Sequence, residues 1–215
     1  MSPRPRKASD ADVFAAAGRV MARVGPTQLT LADIAAEAGL TAGALVQRFG
    51  SKRELLVALS NEFAASTPVM FDELRKANDS PLETLRAYAD CIAEMGSSPS
   101  ALAHHLAYLQ ADITDPDLRK HLKDHARASR ASMRALLAEA VALGELKLDT
   151  DLDALARAAE VTINGSLMTW AFYQDGTARA WIREDVDATL RPYLSEGARP
   201  RARGASPAHR RAPRH

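Results

Sequence analysis

Five polar side chains near the start of the chain are of types that contact nucleic acids. Thr30 and Thr41 each stand directly before a short apolar pattern of helical spacing, so each hydroxyl can cap a helix. A helix N-terminus also offers free backbone N–H groups to a phosphate. Gln47 can bond an adenine edge in two places, and Arg48 a guanine edge or a phosphate. Lys52 opens a further helical pattern, where a cation opposes the helix dipole unless an external phosphate offsets it.

Small residues separate these groups and point to the same chemistry. Ala42, Gly43 and Ala44 follow Thr41 and would let a helix backbone approach the bases. A glycine inside a helix costs about 1 kcal/mol relative to alanine, so a plain surface helix is the weaker interpretation. Simpler roles stay open for the polar residues, because the two threonines can act as caps alone and the long side chains can be solvated.

Two short amphipathic patterns joined at Gly39 must position these side chains. Leu31, Ile34 and Ala38 repeat at helical spacing before Gly39, and Leu45 and Phe49, four apart after it, are expected in a core. A glycine at the turn adopts a positive φ at little cost. Two helices joined by such a tight turn indicate a helix-turn-helix, whose second helix enters a DNA major groove.

The residue pattern resembles the DNA-binding segment of the tetracycline-repressor (TetR) family of bacterial transcription regulators. The resemblance spans about residues 10 to 60, with one departure: Val46 stands where the family usually has an aromatic, most often Tyr, that commonly reaches a phosphate. Arg48 stands where the family often has His or Tyr and could replace that contact. The matching positions are Thr30, Ile34-Ala35, Ala38-Gly39, the small run 41–44, Phe49 and the Lys-x-x-Leu of 52–55.

The resemblance implies an all-α fold of nine helices, with a head that binds DNA and a body that binds an effector and dimerises. Composition agrees, because the chain has only five Phe, four Tyr and two Trp and lacks β-branched runs. The fourth helix is predicted to break near Pro68 or to run on with a kink. The expected divisions are a disordered basic arm (1–9), the helix-turn-helix head (10–54), the body (55–196) and a disordered Arg-rich tail (197–215).

Charge is unevenly distributed along the chain. Residues 1–54 carry a net charge of +3, residues 197–215 carry +6, and the segment between carries −8. Basic ends on an acidic body fit a nucleic-acid-binding head with a separate regulatory part. The single Cys91 cannot form an internal disulfide, and no apolar run or secretory signal is evident, so a cytoplasmic protein without membrane contact is expected.

An effector pocket and a dimer seam are further expectations from the resemblance. Asn164 is predicted to be a buried ligand anchor or interface group, because it lies in an otherwise apolar helix. Each Met or aromatic candidate can equally be ordinary core. The predicted pocket residues are Tyr88, Cys91, Met95, His105, Tyr108, Met133, Leu137, Asn164, Met168 and Phe172, and the predicted seam residues are Leu167, Trp170, Val186, Leu190 and Leu194.

Catalysis and metal binding receive no support from motifs. The sequence has no HExxH, GxSxG, Walker loop or Glu-x-x-His pattern. His121 and His125 have a metal-compatible spacing, but cationic neighbours favour a solvated helix face. The sequence therefore predicts a homodimeric regulator without cofactor, most simply a repressor that leaves an inverted-repeat operator when a small molecule binds. The alternatives are an effector-independent DNA-binding regulator and, with less support, an α-helical enzyme that shares the head.

Overall fold

The computed structural model describes residues 8–195, and this part of the chain confirms the predicted all-α fold of nine helices. None of the described helices combines the length and apolar composition needed to cross a bilayer. The arm through Lys7 and the tail from Gly197 lie outside the described residues. The helices are α1 (Asp10–Arg23), α2 (Leu31–Glu37), α3 (Ala42–Phe49), α4 (Lys52–Ala77), α5 (Pro81–Ala93), α6 (Pro99–Thr114), α7 (Pro116–Ala142), α8 (Leu152–Tyr173) and α9 (Ala178–Leu190), with 3₁₀ turns at Glu94–Gly96 and Arg191–Tyr193.

Helix starts are set by local side-chain chemistry. Each of these nine helices follows a Ser, Thr or Asp whose side chain accepts a hydrogen bond from a backbone N–H of the first turn. Ser9 and Thr30 form full capping boxes with Asp12 and Asp33. Short polar sequences therefore fix where the helices begin, and packing decides how they are arranged.

The helices pack around two apolar clusters, one for the head and one for the body. The head cluster joins α1, α2, α3 and the first turn of α4 around Leu45 and Leu55, and Tyr108 of α6 also belongs to it. The body cluster joins α5, α7, α8 and α9, and α4 reaches it through Phe71. Helices α4 and α6 thus have side chains in both clusters and connect head to body.

Polar contacts reinforce the junction between head and body. Tyr108 donates its phenolic hydrogen to the Val24 carbonyl at 3.3 Å, and His104 Nδ1 lies 3.1 Å from the Ala22 carbonyl. Arg53, in the first turn of α4, binds Asp115 and Asp117 at the start of α7. The end of α1 and the start of α4 are therefore held by the body.

Helix α4 runs through Pro68 without a break, which settles the choice that the sequence left open. Proline cannot donate the backbone hydrogen bond expected at its position. Thr67, the residue directly before Pro68, donates its hydroxyl hydrogen to the Phe63 carbonyl at 2.9 Å. His125 of α7 then contacts the same hydroxyl, with Nδ1 at 2.7 Å from Oγ1. A side chain from the body thus touches α4 at its weakest backbone position.

The predicted dimer seam lies mostly inside the protomer, so this prediction is wrong in its choice of face. Leu167 and Trp170 of α8 are 5% and 6% exposed, and Val186 and Leu190 of α9 are each 1% exposed. Leu194 is half-buried, packs on the same core and pairs with Leu146 in an isolated bridge. The four-residue repeat that indicated a seam is the face with which α9 packs against its own subunit.

Candidate nucleic-acid interface

Helix α3 is held by one side and leaves the other open. Leu45 is fully buried in the head cluster, and Phe49 packs against Phe14 with ring centroids 5.8 Å apart. Gly39 and Gly50, with φ of +66° and +87°, lie on either side of the helix and allow sharp turns there. Thr41, Gly43, Val46, Gln47 and Arg48 are exposed, whereas Ala42 and Ala44 are half-buried.

The two threonine caps differ in the hydrogen-bond donors that they leave free for a phosphate. Thr30 already donates its hydroxyl hydrogen to Asp33 at 2.5 Å, and the Thr30 backbone N–H donates to the same carboxylate. That carboxylate occupies the start of α2 and would repel an approaching phosphate. Thr41 accepts a hydrogen bond from the Ala44 N–H at 3.2 Å, and within the described residues its own hydroxyl hydrogen has no acceptor. The start of α3 is therefore the better anion site of the two.

Lys52 has partners inside the head that the sequence did not reveal. Its ammonium group donates to the Leu29 carbonyl at 2.9 Å and to the Pro26 carbonyl at 3.3 Å. Both carbonyls belong to the loop between α1 and α2, so Lys52 fastens that loop to the start of α4. The predicted phosphate contact of Lys52 stays a prediction, in addition to this structural role.

Helix α2 is fixed against α1 by a shared carboxylate. Glu37 accepts hydrogen bonds from Arg19 and Arg23 of α1, each at 2.7 Å. These hydrogen bonds hold the pKa of the Glu37 carboxyl below its ordinary value. The sequence gave no specific signal for this contact, because the partners lie 18 and 14 residues apart.

The ten predicted effector residues do not surround one cavity. Asn164 is exposed and bonds the Glu160 carbonyl of its own helix, and Phe172 is 74% exposed, so the prediction that they line a buried pocket is wrong. Tyr108 belongs to the head cluster. Tyr88, Met133 and Leu137 are buried in the body cluster, while Cys91, Met95, His105 and Met168 are half-buried.

Four polar side chains nevertheless lie in two pairs inside the body between α4, α5 and α7, with His125 beside Thr67 and Ser129 beside Tyr88. These are Thr67, Tyr88, His125 and Ser129, and we name them the buried polar cluster. Thr67 Oγ1 lies 2.9 Å from the Phe63 carbonyl oxygen and 2.7 Å from His125 Nδ1, and the tautomer with a hydrogen on Nδ1 satisfies both contacts at once. Burial lowers the pKa of His125, while the Glu160 carboxylate and the Phe63 carbonyl act in the opposite direction. The prediction that His125 lies on a solvated face is therefore wrong.

Ser129 and Tyr88 complete this cluster. Tyr88 stacks on Phe71 at 4.5 Å, and burial raises the pKa of its phenol, an effect that the neighbouring Ser129 hydroxyl partly offsets. Ser129 is only 3% exposed; its hydroxyl lies near enough to the Tyr88 phenol to affect that pKa, but its oxygen forms no hydrogen bond of ordinary geometry among the described residues. A buried hydroxyl without a partner is costly, so the cluster has unused hydrogen-bonding capacity.

Two depressions on the described surface are not lined by any of these four side chains, and both are open to solvent. The first, of about 470 Å³, lies between α8 and α9 and is lined by small and hydroxyl-bearing residues. The second, of about 400 Å³, lies between α7 and α8 and has basic walls. The first is lined by Thr162, Gly165, Ser166, Thr169, Asp185, Ala188 and Thr189. The described residues hold no group of three or more side chains suited to a metal ion.

Comparison with known proteins gives this arrangement a context. Residues 13–59 match the family described as bacterial regulatory proteins, tetR family, and residues 81–186 match the tetracyclin repressor-like C-terminal domain. The HTH-type transcriptional regulator TtgR of Pseudomonas putida is 24% identical over 193 residues, which cover 82% of this chain and 89% of TtgR.

Solved structures share the fold at low sequence identity. SmeT, the repressor of the Stenotrophomonas maltophilia multidrug efflux pump SmeDEF, aligns with a TM-score of 0.63 at 22% identity over 89% of this chain and 93% of SmeT. The regulator FadR of Bacillus subtilis, solved in complex with stearoyl-CoA, aligns with a TM-score of 0.60 at 18% identity over 85% of this chain and 98% of FadR. Head and body therefore have the arrangement of a known fold.

The lowered pKa of His125 predicts a pH-dependent stability. An unfolded histidine titrates near pH 6.5, whereas the lowered pKa of half-buried His125 keeps it neutral to lower pH. Stability is therefore retained above about pH 6.5 and falls as the pH drops below that value, because only the unfolded chain gains the proton. We expect His125→Asn to flatten the fall in unfolding temperature between about pH 7.5 and 5.5; part of the fall remains, because the pKa of His105 is also lowered.

His121→Asn is the matched control, since His121 lies one turn earlier on α7 and is also half-buried. That variant should keep the full pH dependence. Equal slopes for the unmodified protein and His125→Asn in calorimetric scans would contradict the assignment.

Proposed function

Because the chain belongs to the TetR family of bacterial regulatory proteins and is a DNA-binding transcriptional regulator, we propose that it is a repressor that a small molecule releases from DNA. The open face of α3 is the observation that supports DNA reading most directly, since Leu45 alone is fully buried on this helix and its other side is free. A regulator of this kind acts on the chromosome, so we place it in the cytoplasm. We propose no catalytic activity and no cofactor for it.

The first turn and outer face of α3 are the proposed DNA-contacting surface. Thr41 and the free backbone N–H groups of the first turn would bind a phosphate. The side chains that follow are small enough to let α3 lie close to the bases in the major groove, and they are Ala42, Gly43 and Ala44. Gln47 is exposed, lies one turn further on and has no side-chain partner among the described residues, so its amide can reach a base edge. Thr30 and Lys52 are proposed only as secondary phosphate contacts, because the hydroxyl of Thr30 already donates to Asp33 and the ammonium group of Lys52 to the Leu29 carbonyl.

Gln47→Ala tests whether this face reads sequence. We expect the variant to lose about 1–3 kcal/mol of affinity for the preferred site, with the base preference relaxed at one position of each half-site. The measurement is the affinity of each protein for single-base variants of a site that the unmodified protein selects from a random DNA library. Gln28→Ala is the control, since Gln28 is an exposed glutamine of the same head outside α3. An unchanged base-substitution profile for Gln47→Ala would remove Gln47 from the reading surface.

A homodimer formed through the outer face of α8 and α9 is the second part of the proposal. Val161 and Phe172 are 63% and 74% exposed on α8, although both are large and apolar. Between them, Gly165 opens the groove shared with Ala188 of α9, so a partner helix could approach closely. An exposed apolar face of this kind is typical of an interface, and a two-fold axis would require an inverted-repeat operator.

Two glutamate substitutions on α9 separate dimer contacts from core contacts. Ala188 is exposed in the groove, so Ala188→Glu should leave the protomer folded but produce monomers with weak operator binding. Leu190 is buried in the protomer, so Leu190→Glu should unfold it, with a loss above about 3 kcal/mol. Sedimentation velocity and thermal unfolding distinguish the two results. A fully dimeric Ala188→Glu protein would place the seam elsewhere.

The buried polar cluster is the proposed place of effector action. It contacts α4 at Thr67, one residue before Pro68, and α4 continues from there to the head. A ligand that supplies the missing partner of Ser129 would change the packing around this position. As the resemblance implies, the resulting movement of α4 would alter the spacing of the two heads. FadR with its stearoyl-CoA supports a ligand-responsive body by analogy.

An effector-independent regulator is a second candidate, favoured by the filled body core. Met133, Leu136 and Leu137 of α7 are at most 1% exposed, and the depressions described above lie outside this core. If this alternative holds, the buried hydroxyl of Ser129 has no role in ligand binding and only lowers the stability slightly. Operator affinity would then not respond to any small molecule that binds the body. A screen that pairs thermal stabilisation with operator release separates the two candidates.

Ser129→Ala tests whether the cluster has unused hydrogen-bonding capacity. Removing a buried hydroxyl without a partner should stabilise the free protein by about 1 kcal/mol, while abolishing release by any effector that bonds it. Ser132→Ala, three residues along the same helix and half-buried, should change neither property. Urea unfolding provides the first measurement. A destabilised Ser129→Ala protein would show that the hydroxyl is already satisfied.

A further inference from the structure

The depression between α7 and α8 is lined mainly by cations, and we name it the basic depression. Its volume of about 400 Å³ falls within the range of roughly 300–1,000 Å³ that is usual for small-molecule sites. Ala126 and Ala131 also line it, and their small side chains leave room between the long basic ones. The basic side chains are Lys123, Arg127, Arg130 and Arg134, all of them on α7 and all exposed.

The spacing of these four cations places them along one face of α7. They follow one another at intervals of four, three and four residues, and side chains at such intervals are neighbours on a helix. Like charges at this spacing destabilise a helix. Residues 55–196 carry a net charge of −8, so a concentration of positive charge is not a general property of the body. An anion bound in the depression would offset the repulsion.

Two of the four cations already have carboxylate partners on α8. Arg130 donates from Nε to Glu160 at 2.6 Å and also pairs with it through Nη2. Arg134 donates from Nε to Asp153 at 2.6 Å, and Asp153 itself lines the depression. These contacts join α7 to α8 across the depression, but the contact of Arg134 leaves the outer N–H groups of its guanidinium for a ligand.

The other two cations are open. Lys123 and Arg127 form no hydrogen bond or ion pair with the part of the chain that the structure describes. The depression and its rim therefore combine four positive side chains with two carboxylates, which leaves an excess of positive charge. Two unpartnered cations beside a concave surface are the groups that an anion would meet first.

The types and positions of the cations favour phosphate as the ligand group. Three of the four are arginines, and the planar guanidinium matches two oxygens of a phosphate at once. Neighbouring positions on the row have Cβ atoms about 5–6 Å apart. A single phosphate would therefore meet only adjacent cations, whereas a ligand with two or more phosphates could contact more of the row.

We propose that the basic depression binds a small soluble molecule that carries two or more phosphate groups, with Lys123 and Arg127 as its first contacts. The outer N–H groups of Arg134 add a further contact, and Asp153 competes with the ligand for that arginine. This site is separate from α3 and from the buried polar cluster. Its ligand is expected to bind whether or not DNA is present.

Inorganic pyrophosphate is the probe, titrated into the full chain by calorimetry without DNA or divalent cations and at constant ionic strength. Binding should saturate with a single pyrophosphate per protomer. Arg127→Gln should weaken it roughly tenfold, because one charge-assisted hydrogen bond is lost. Asp153→Asn should strengthen it roughly threefold, because a carboxylate that repels the anion and holds Arg134 is removed.

Arg157→Gln is the matched control. Arg157 is an exposed arginine of α8 that does not line the depression, and its replacement changes the net charge by the same amount as Arg127→Gln. Affinity for pyrophosphate should stay within about twofold, because solvent and salt screen a charge that does not touch the ligand. Thermal unfolding verifies that each variant is folded. The gain expected for Asp153→Asn cannot result from a damaged fold.

Opposite effects of Arg127→Gln and Asp153→Asn, with Arg157→Gln unchanged, support the proposal. Binding that does not saturate, or equal losses for Arg127→Gln and Arg157→Gln, would overturn it, because only the general field of the protein would then attract the anion. Equal affinity for inorganic phosphate would overturn the requirement for two phosphate groups.

Two other sources of phosphate are tested with the same variants. One is a DNA duplex of arbitrary sequence, and the other is a vesicle that contains phosphatidic acid. If either binds the unmodified protein and loses affinity with Arg127→Gln, while pyrophosphate does not bind, the depression serves a nucleic-acid backbone or a lipid surface. Either result would overturn the assignment of a small soluble ligand.

Discussion

The whole proposed function depends on the burial of one face of a helix too short to stand alone. Helix α3 has eight residues and α2 has seven, and isolated helices of that length are unstable in water. Leu45 is the fully buried residue of α3, and it meets side chains of α1, α2 and α4 in the head cluster. Because the fold secures α3 from behind, its outer face needs no protein partner and is free for DNA.

The need to bury apolar side chains also ties the head to the body. Tyr108 belongs to the body's α6 yet completes the head cluster, and α4 starts in one cluster and ends in the other. A helix of 26 residues is roughly 39 Å long, so the proposed displacement near Pro68 would be carried to its first turn. His125 and Thr67 meet at that position, which gives the body a physical means of influencing the head.

The sequence indicated features that depend on neighbouring residues, such as helix caps and turns. It did not indicate which distant residues each side chain contacts. Thr30, Thr41 and the glycine at position 39 indicated two helix starts and the turn between the helices, because these signals act within a few residues. The repeat of Val186 and Leu190 indicated an apolar face but could not tell a neighbouring helix of the same chain from one of a second copy. Asn164 looked buried because its neighbours are apolar, yet the helix turns it outward to bond its own backbone.

The polar residues of the head show the same limit. Lys52 and Arg48 have the types and positions of DNA ligands, but their partners, the carbonyls of Leu29 and Ala8, lie 23 and 40 residues away in sequence. Only the folded structure reveals that both fasten the head together. The sequence therefore predicted the helices that carry these residues, but not the internal contacts that the two side chains make.

Hydrogen exchange of backbone amides, measured with and without a duplex selected from a random library, tests the central claim most directly. We expect exchange to slow on DNA binding in residues 41–48, with the largest change in the first turn of α3, where N–H groups would meet a phosphate. Strong slowing elsewhere on the surface, with α3 unchanged, would contradict the assignment of α3 as the reading helix.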